Sequence, residues 1–163
     1  MNKHMTILGL LLLAAWASSP AWALCIGPEI SVNVTTAGGV AVTIKADPYP
    51  TPGETRPQPL QTMIRGDAVS VNGSYFTDGC HDVCINGRCP PTYPAKGIRL
   101  LFVQGDKTVQ LAAVDADSNF GFSRRAFLPA GAINGPAAIV AETLYEGHWL
   151  RTRPVSFVVR TTR

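Results

Sequence analysis

The chain has 163 residues, of which 46% are hydrophobic and 15% charged, with a formal net charge of +3. That length suits one domain with a proper core, and so weak a basic excess argues against a nucleic-acid partner. Four cysteines beside only three histidines make the redox compartment the first matter to settle.

The amino terminus, MNKHMTILGLLLLAAWASSPAWA, places Lys3 in a short polar segment before an apolar run from Met5 to Ala17. Ser18, Ser19 and Pro20 break the run, and Ala21-Trp22-Ala23 offers small residues at the two positions that a signal peptidase inspects. This is the pattern of a secretory signal peptide over residues 1–23, with a mature chain starting at Leu24. The run falls short of the ~20 apolar residues needed to span a bilayer, and no later stretch is a transmembrane candidate. A lipoprotein alternative would acylate Cys25, but Leu24 is a poor fit to the small residue which that processing expects. Without Lys3, thirteen Lys and Arg face eleven acidic residues, a net charge of +2. The expectation is an exported protein, periplasmic or extracellular, with residues 24–163 forming a single domain.

Alternation then sets in. ISVNV (Ile30 to Val34) and VAVTIKA (Val40 to Ala46), joined by TTAGG, predict an amino-terminal hairpin. Residues 47–59 contain five prolines, which lock φ and lack the N–H. They predict an extended connection along the outside of the domain. Strands are expected at Val69 to Val71, Gly97 to Val103, Thr108 to Val114, Phe120 to Phe127, Ala137 to Glu146 and Val155 to Thr161. Phe102, Leu111, Phe120, Ile139 and Phe157 fall on the apolar faces and are the expected core. No window sustains helical spacing with caps. Short strands separated by Gly and Pro predict an all-β sandwich.

VSVNGSYFTDGC, GIRLLFV and LAAVDADSNFGFSRRAFLPAGAINGPAAIVAE together resemble the immunoglobulin-like β-sandwich modules of bacterial exported and surface proteins. Val69, Val71, Gly73, Phe76, Asp115, Asp117, Phe120, Pro129, Gly135, Ile139 and Ala141 carry the resemblance, which spans roughly residues 60–163. It implies an immunoglobulin-like antiparallel fold and no particular activity, because that fold hosts many functions. The amino-terminal hairpin and a cysteine insert over residues 80–94 depart from the pattern.

That insert begins CHDVCINGRCPP, with three of the four cysteines within ten residues. Asn86-Gly87 suits the centre of a two-residue hairpin turn, since both residues tolerate positive φ. Cys84 and Cys89 then face each other as a non-hydrogen-bonded pair, with Cα atoms ~4.5 Å apart, within the span that a disulfide accepts. This leaves Cys25 to pair with Cys80, one of three possible connectivities. Ile85, Asn86, Gly87 and Arg88 form the tip of the stapled loop and are the candidate binding residues. The alternative is a metal site of Cys80, His81, Cys84 and Cys89, a possible Zn²⁺ set. Its adjacent Cys80 and His81 are awkward co-ligands, and an oxidising compartment favours disulfides. GRCPP also sets Arg88 beside a cysteine, as in some protease inhibitors; the plainer reading is an exposed hairpin tip.

Asp115, Asp117 and Asn119 alternate like the start of a Ca²⁺ loop, but the twelfth position, where an EF-hand needs Glu, holds Ala126. A β-turn is expected there. Asn33-Val34-Thr35 and Asn72-Gly73-Ser74 are glycosylation sequons. The late arginines (Arg124, Arg125, Arg151, Arg153, Arg160, Arg163) suggest solvated strand faces, or an anionic surface as the lesser alternative. Only His81 and His148 follow the leader; neither lies in a recognisable catalytic motif, and His148 is expected to cap a strand. The sequence therefore points to a non-enzymatic exported module with no cofactor, presenting its stapled loop to a protein or glycan. The alternative is a small periplasmic metal-handling protein.

Overall fold

The computed structural model describes residues 27–35, 41–46, 60–79 and 91–161. These residues form strands and no helix: β1 (Glu29–Thr35), β2 (Ala41–Lys45), β3 (Thr62–Ile64), β4 (Ala68–Ser74), β5 (Ile98–Gln104), β6 (Lys107–Val114), β7 (Phe122–Phe127), β8 (Gly135–Tyr145), β9 (His148–Arg151) and β10 (Val155–Arg160). A four-stranded sheet, β2-β1-β4-β7, packs on a six-stranded sheet, β3-β10-β8-β5-β6, in which β9 pairs with β8. The all-β, two-sheet expectation holds. The Pro-rich connection, residues 47–59, lies outside the described residues.

Turn chemistry sets the hairpins. Between β5 and β6, Gly105 adopts φ 61° at the first central position, which a type II′ turn reserves for glycine. Between β8 and β9, Glu146 and Gly147 have φ of 48° and 80°, the two positive values of a type I′ turn. That turn brings His148 opposite Tyr145 as the first pair of β9. His148 therefore opens a strand and does not cap one; β9 was unforeseen because only four residues follow before the chain leaves the ladder.

The wholly antiparallel expectation needs one correction, since β3 pairs with β10 in parallel. β3 is followed by β4, which belongs to the opposite sheet. It therefore reaches β10 by a crossover and escapes the antiparallel pairing that a tight hairpin imposes.

Both sheets share one core, in which Val32, Val71, Phe76, Ile98, Leu100, Ile139, Phe157 and Val159 are sealed from solvent. The amino-terminal hairpin is part of that core and no appendage. β1 lies between β2 and β4, and Ile30, Val32 and Val34 are buried. Gly73 is required by packing. A Cβ there would lie 2.1 Å from Cε1 of Phe122, whose ring meets Phe76 edge-on at 5.0 Å between centroids.

Two expected core residues are displaced. Phe120 is only half-buried and sits before β7 at φ 59°, while Phe122 takes the inward position opposite Gly73. The turn ahead of β7 consumes Phe120, so the strand starts at Phe122, which takes the first inward position with the alternation unchanged. Leu111 is partly buried because β6 carries an extra residue there: Ala112 pairs with Leu100 and Gln110 with Leu101, leaving Leu111 unmatched. Such a bulge turns its residue away from the regular alternation. Phe102, Ile139 and Phe157 are buried as expected.

Candidate functional site

Cys25, Cys80, His81, Cys84, Ile85, Asn86, Gly87, Arg88 and Cys89 all lie outside the described residues. Their described neighbours are closely constrained. Asp78 N donates to Tyr93 O at 3.0 Å, Ala95 N to Phe76 O at 3.0 Å, and Tyr93 N to the Asp78 carboxylate at 3.0 Å. Thr77 bridges Pro94 across the same gap. The two flanks of residues 80–90 are thus clamped together. Glu146 N donates to Asp78 O at 3.0 Å, tying the clamp to the β8–β9 turn.

The fold gathers other segments at this end of the sandwich. β1 starts here, with Glu29 opposite Ser74, so Gly27 and Gly79, described neighbours of Cys25 and Cys80, belong to the same end. Glu29 also pairs with Arg153, at 3.1 Å. Tyr75 and Tyr93 are exposed here. Tyr75 has φ 63° and Phe120 has φ 59°, and Phe76 N donates to Phe120 O at 2.9 Å. Left-handed φ at bulky side chains is costly and persists only where surrounding bonds enforce it.

The DADSNFG segment is a turn. The Asp117 carboxylate accepts from Asn119 N at 2.8 Å and Gly121 N at 3.1 Å, and Phe120 N donates to Asp117 O at 3.0 Å. Asp115 accepts from Gly97 N at 2.9 Å and faces Lys96 Nζ at 3.3 Å. The Gly97 N–H first, and the Lys96 ammonium second, hold its carboxyl below the ordinary aspartate range. These oxygens face N–H donors and an ammonium, not a cation pocket. Among the described residues, no group of three or more His, Cys, Asp or Glu could hold a metal ion.

A cluster unforeseen from the sequence lies on the outer face of the larger sheet. Glu142 of β8 stands in register between Arg99 of β5 and Arg151 of β9. One carboxylate oxygen accepts from Arg99 Nη2 at 2.6 Å, and the other from Arg151 Nε at 2.9 Å and from its Nη2. The Glu142 side chain keeps 12% of its exposure. The Trp149 ring lies 3.7 Å from the Arg99 guanidinium carbon and opposite exposed Leu144. Arg99 Nε is buried and has no partner. The signal that could have found this cluster is Glu146-Gly147: centring a two-residue turn there pairs Leu144 with Trp149 and Glu142 with Arg151.

Among the described residues, the other late arginines lie apart from this cluster. Arg124 and Arg125 belong to the smaller sheet, and Arg153 is taken by Glu29. The sequon residues Asn33 and Asn72 occupy the two inner strands of that smaller sheet. No family model matches the chain, and no curated protein or solved structure is found to be similar to it.

Proposed function

We propose that this chain is an exported, non-enzymatic binding or structural module of the immunoglobulin-like type, which presents a disulfide-stapled loop to a protein or glycan partner. The clamp beneath residues 80–90 carries this reading. Paired backbone bonds at Phe76–Ala95 and Asp78–Tyr93, with Glu146 beneath them, give the loop a fixed base. A fixed base lowers the ordering cost of binding through that loop. The immunoglobulin-like assignment is supported by β4 pairing with β7 in one sheet and β5, β8 and β10 lying together in the other, as strands B–E and C–F–G do in that fold. The leader-like segment over residues 1–23 supports export.

In this proposal Cys84–Cys89 closes the loop and Cys25–Cys80 ties the amino terminus to its base, one of the three connectivities open to four cysteines. Chain purified without reductant should therefore contain no free thiol. A digest that cuts at Arg88 should release Cys84 and Cys89 as two joined peptides. Three reactive thiols with one equivalent of bound metal would overturn the reading in favour of metal handling. The binding role is tested by Ile85→Ala/Arg88→Ala, which should abolish retention on a cell-envelope fraction while leaving the melting temperature unchanged. Unchanged retention would remove the loop from the interface.

A further inference from the structure

The outer face of the larger sheet carries a second feature. Trp149 is 55% exposed and its partner Leu144 is 48% exposed, so two large apolar side chains stand side by side in water. The indole is held in place: the Arg99 guanidinium lies 3.7 Å from its ring centroid, on a side chain that Glu142 anchors in turn. An aromatic ring with one face braced and the other open is preorganised for stacking.

The charge beside it is unbalanced. Two guanidiniums share the single Glu142 carboxylate, which accepts Arg99 Nη2 and, from Arg151, Nε and Nη2. Each fork keeps unspent N–H donors, and the Arg151 side chain is 54% exposed. Among these three side chains the excess is one positive charge, displayed in the planar geometry that matches a carboxylate. Trp149 and Arg151 alternate on the same face of β9, which places them about 6.6–6.8 Å apart along the strand. That separation lets one sugar ring stack on the indole while a carboxylate on the chain reaches the guanidinium.

We infer that Trp149, Leu144 and the Arg99–Glu142–Arg151 ladder form a binding surface for a carboxylate-bearing polysaccharide of the uronate type. A pyranose presents a C–H face that the open indole can cover, and the uronate carboxylate supplies the missing negative charge. An acidic peptide fits less well. Strand addition needs a long free edge, whereas β9 has four residues and is followed within three positions by Pro154, which lacks an N–H.

The inference goes beyond the proposed role of the loop, and its test rests on Trp149 and Arg151 of β9. Trp16 and Trp22 lie in the leader, so Trp149 is the only tryptophan of residues 24–163 and its fluorescence reports this surface alone. Titrating the processed chain with polygalacturonate at low salt should give a saturable change in Trp149 emission. Fully methyl-esterified polygalacturonate should bind at least tenfold more weakly, and raised salt should weaken the acidic polymer alone. By calorimetry, Trp149→Ala and Arg151→Gln should each lose at least tenfold in affinity. Trp149→Phe and Arg151→Lys should recover part of it, which separates recognition from a folding defect. Arg125→Gln, which removes an exposed charge from the smaller sheet, should leave uronate binding unchanged, so a general loss of positive charge is told apart from loss of this surface. Equal binding of the esterified polymer, absence of saturation, or polyglutamate binding as tightly as polygalacturonate would each overturn the inference, the last in favour of an acidic peptide.

Discussion

On the outer face of the smaller sheet, Ser31, Asn33, Ser70 and Asn72 stand in register between Thr43 and Lys45 of β2 and Ser123 and Arg125 of β7. On the outer face of the larger sheet, Leu101 and Val140 pair across β5 and β8 and are buried although they lie outside the shared core. The next row is Arg99–Glu142–Arg151. The smaller sheet thus has one apolar face and one wetted face, the usual state of an antiparallel sheet in a sandwich. The larger sheet buries side chains on both. Its outer surface is held by the Arg99–Glu142–Arg151 ladder, while the face opposite consists of short Ser, Asn and Thr side chains, of which Asn33 has a buried Oδ1 without a partner. Recognition is better served by the organised surface, which is why Trp149 and its neighbours merit testing before the arginines of β7.

The largest effects belong to the core that both sheets share. Phe122→Ala should cost ~3–5 kcal/mol in urea unfolding, the usual loss for a buried aromatic, whereas Phe120→Ala should cost under about 1 kcal/mol because that ring is only half-buried and its backbone is strained. Equal losses would mean that Phe120 is packed in the core as fully as Phe122.

The outer faces give the next largest contrast. Leu101→Ala should destabilise by ~2–4 kcal/mol, and Ser70→Ala on the opposite sheet by no more than about 0.5 kcal/mol. If thermal unfolding finds the two alike, the larger sheet is wetted outside as the smaller one is.

Glu142→Gln tests the outer face of the larger sheet electrostatically. It removes a nearly buried carboxylate and leaves two guanidiniums facing each other, which should cost ~1–3 kcal/mol given that both arginines are partly solvated. Glu29→Gln, which breaks the more exposed pair with Arg153, should cost at most about 0.5 kcal/mol. Indistinguishable variants would demote the ladder to an ordinary surface ion pair.

The smallest effect concerns Asp115. Its carboxyl is held below the ordinary value of 3.8, so its contribution is complete above that value and disappears as pH falls through the lower value of the folded state. The stability difference between the native chain and Asp115→Asn should accordingly be flat near neutrality and close in acid. A gap that persists unchanged to about pH 2 would show that the group titrates alike in both states.

Local chemistry alone was enough to specify the all-β class, the β1–β2 hairpin and the burial of Phe102, Ile139 and Phe157. Two-residue alternation and glycine-containing turns act over a few residues and are written directly in the chain. The parallel pairing of β3 with β10 and the place of β1 at the centre of a sheet depended on contacts between distant segments. The start of β7 at Phe122 was decided by a turn whose bonds involve Asp117, Gly121 and distant Phe76. The Arg99–Glu142–Arg151 ladder needed both kinds of information. Glu146-Gly147 encodes the pairing of Glu142 with Arg151, but Arg99 lies 43 positions before Glu142 and meets it only because β5 and β8 pair in one particular register. Burial of Leu101 and Val140 on an outward face likewise arises from tertiary packing, since an apolar run reports that water is excluded without saying from which side.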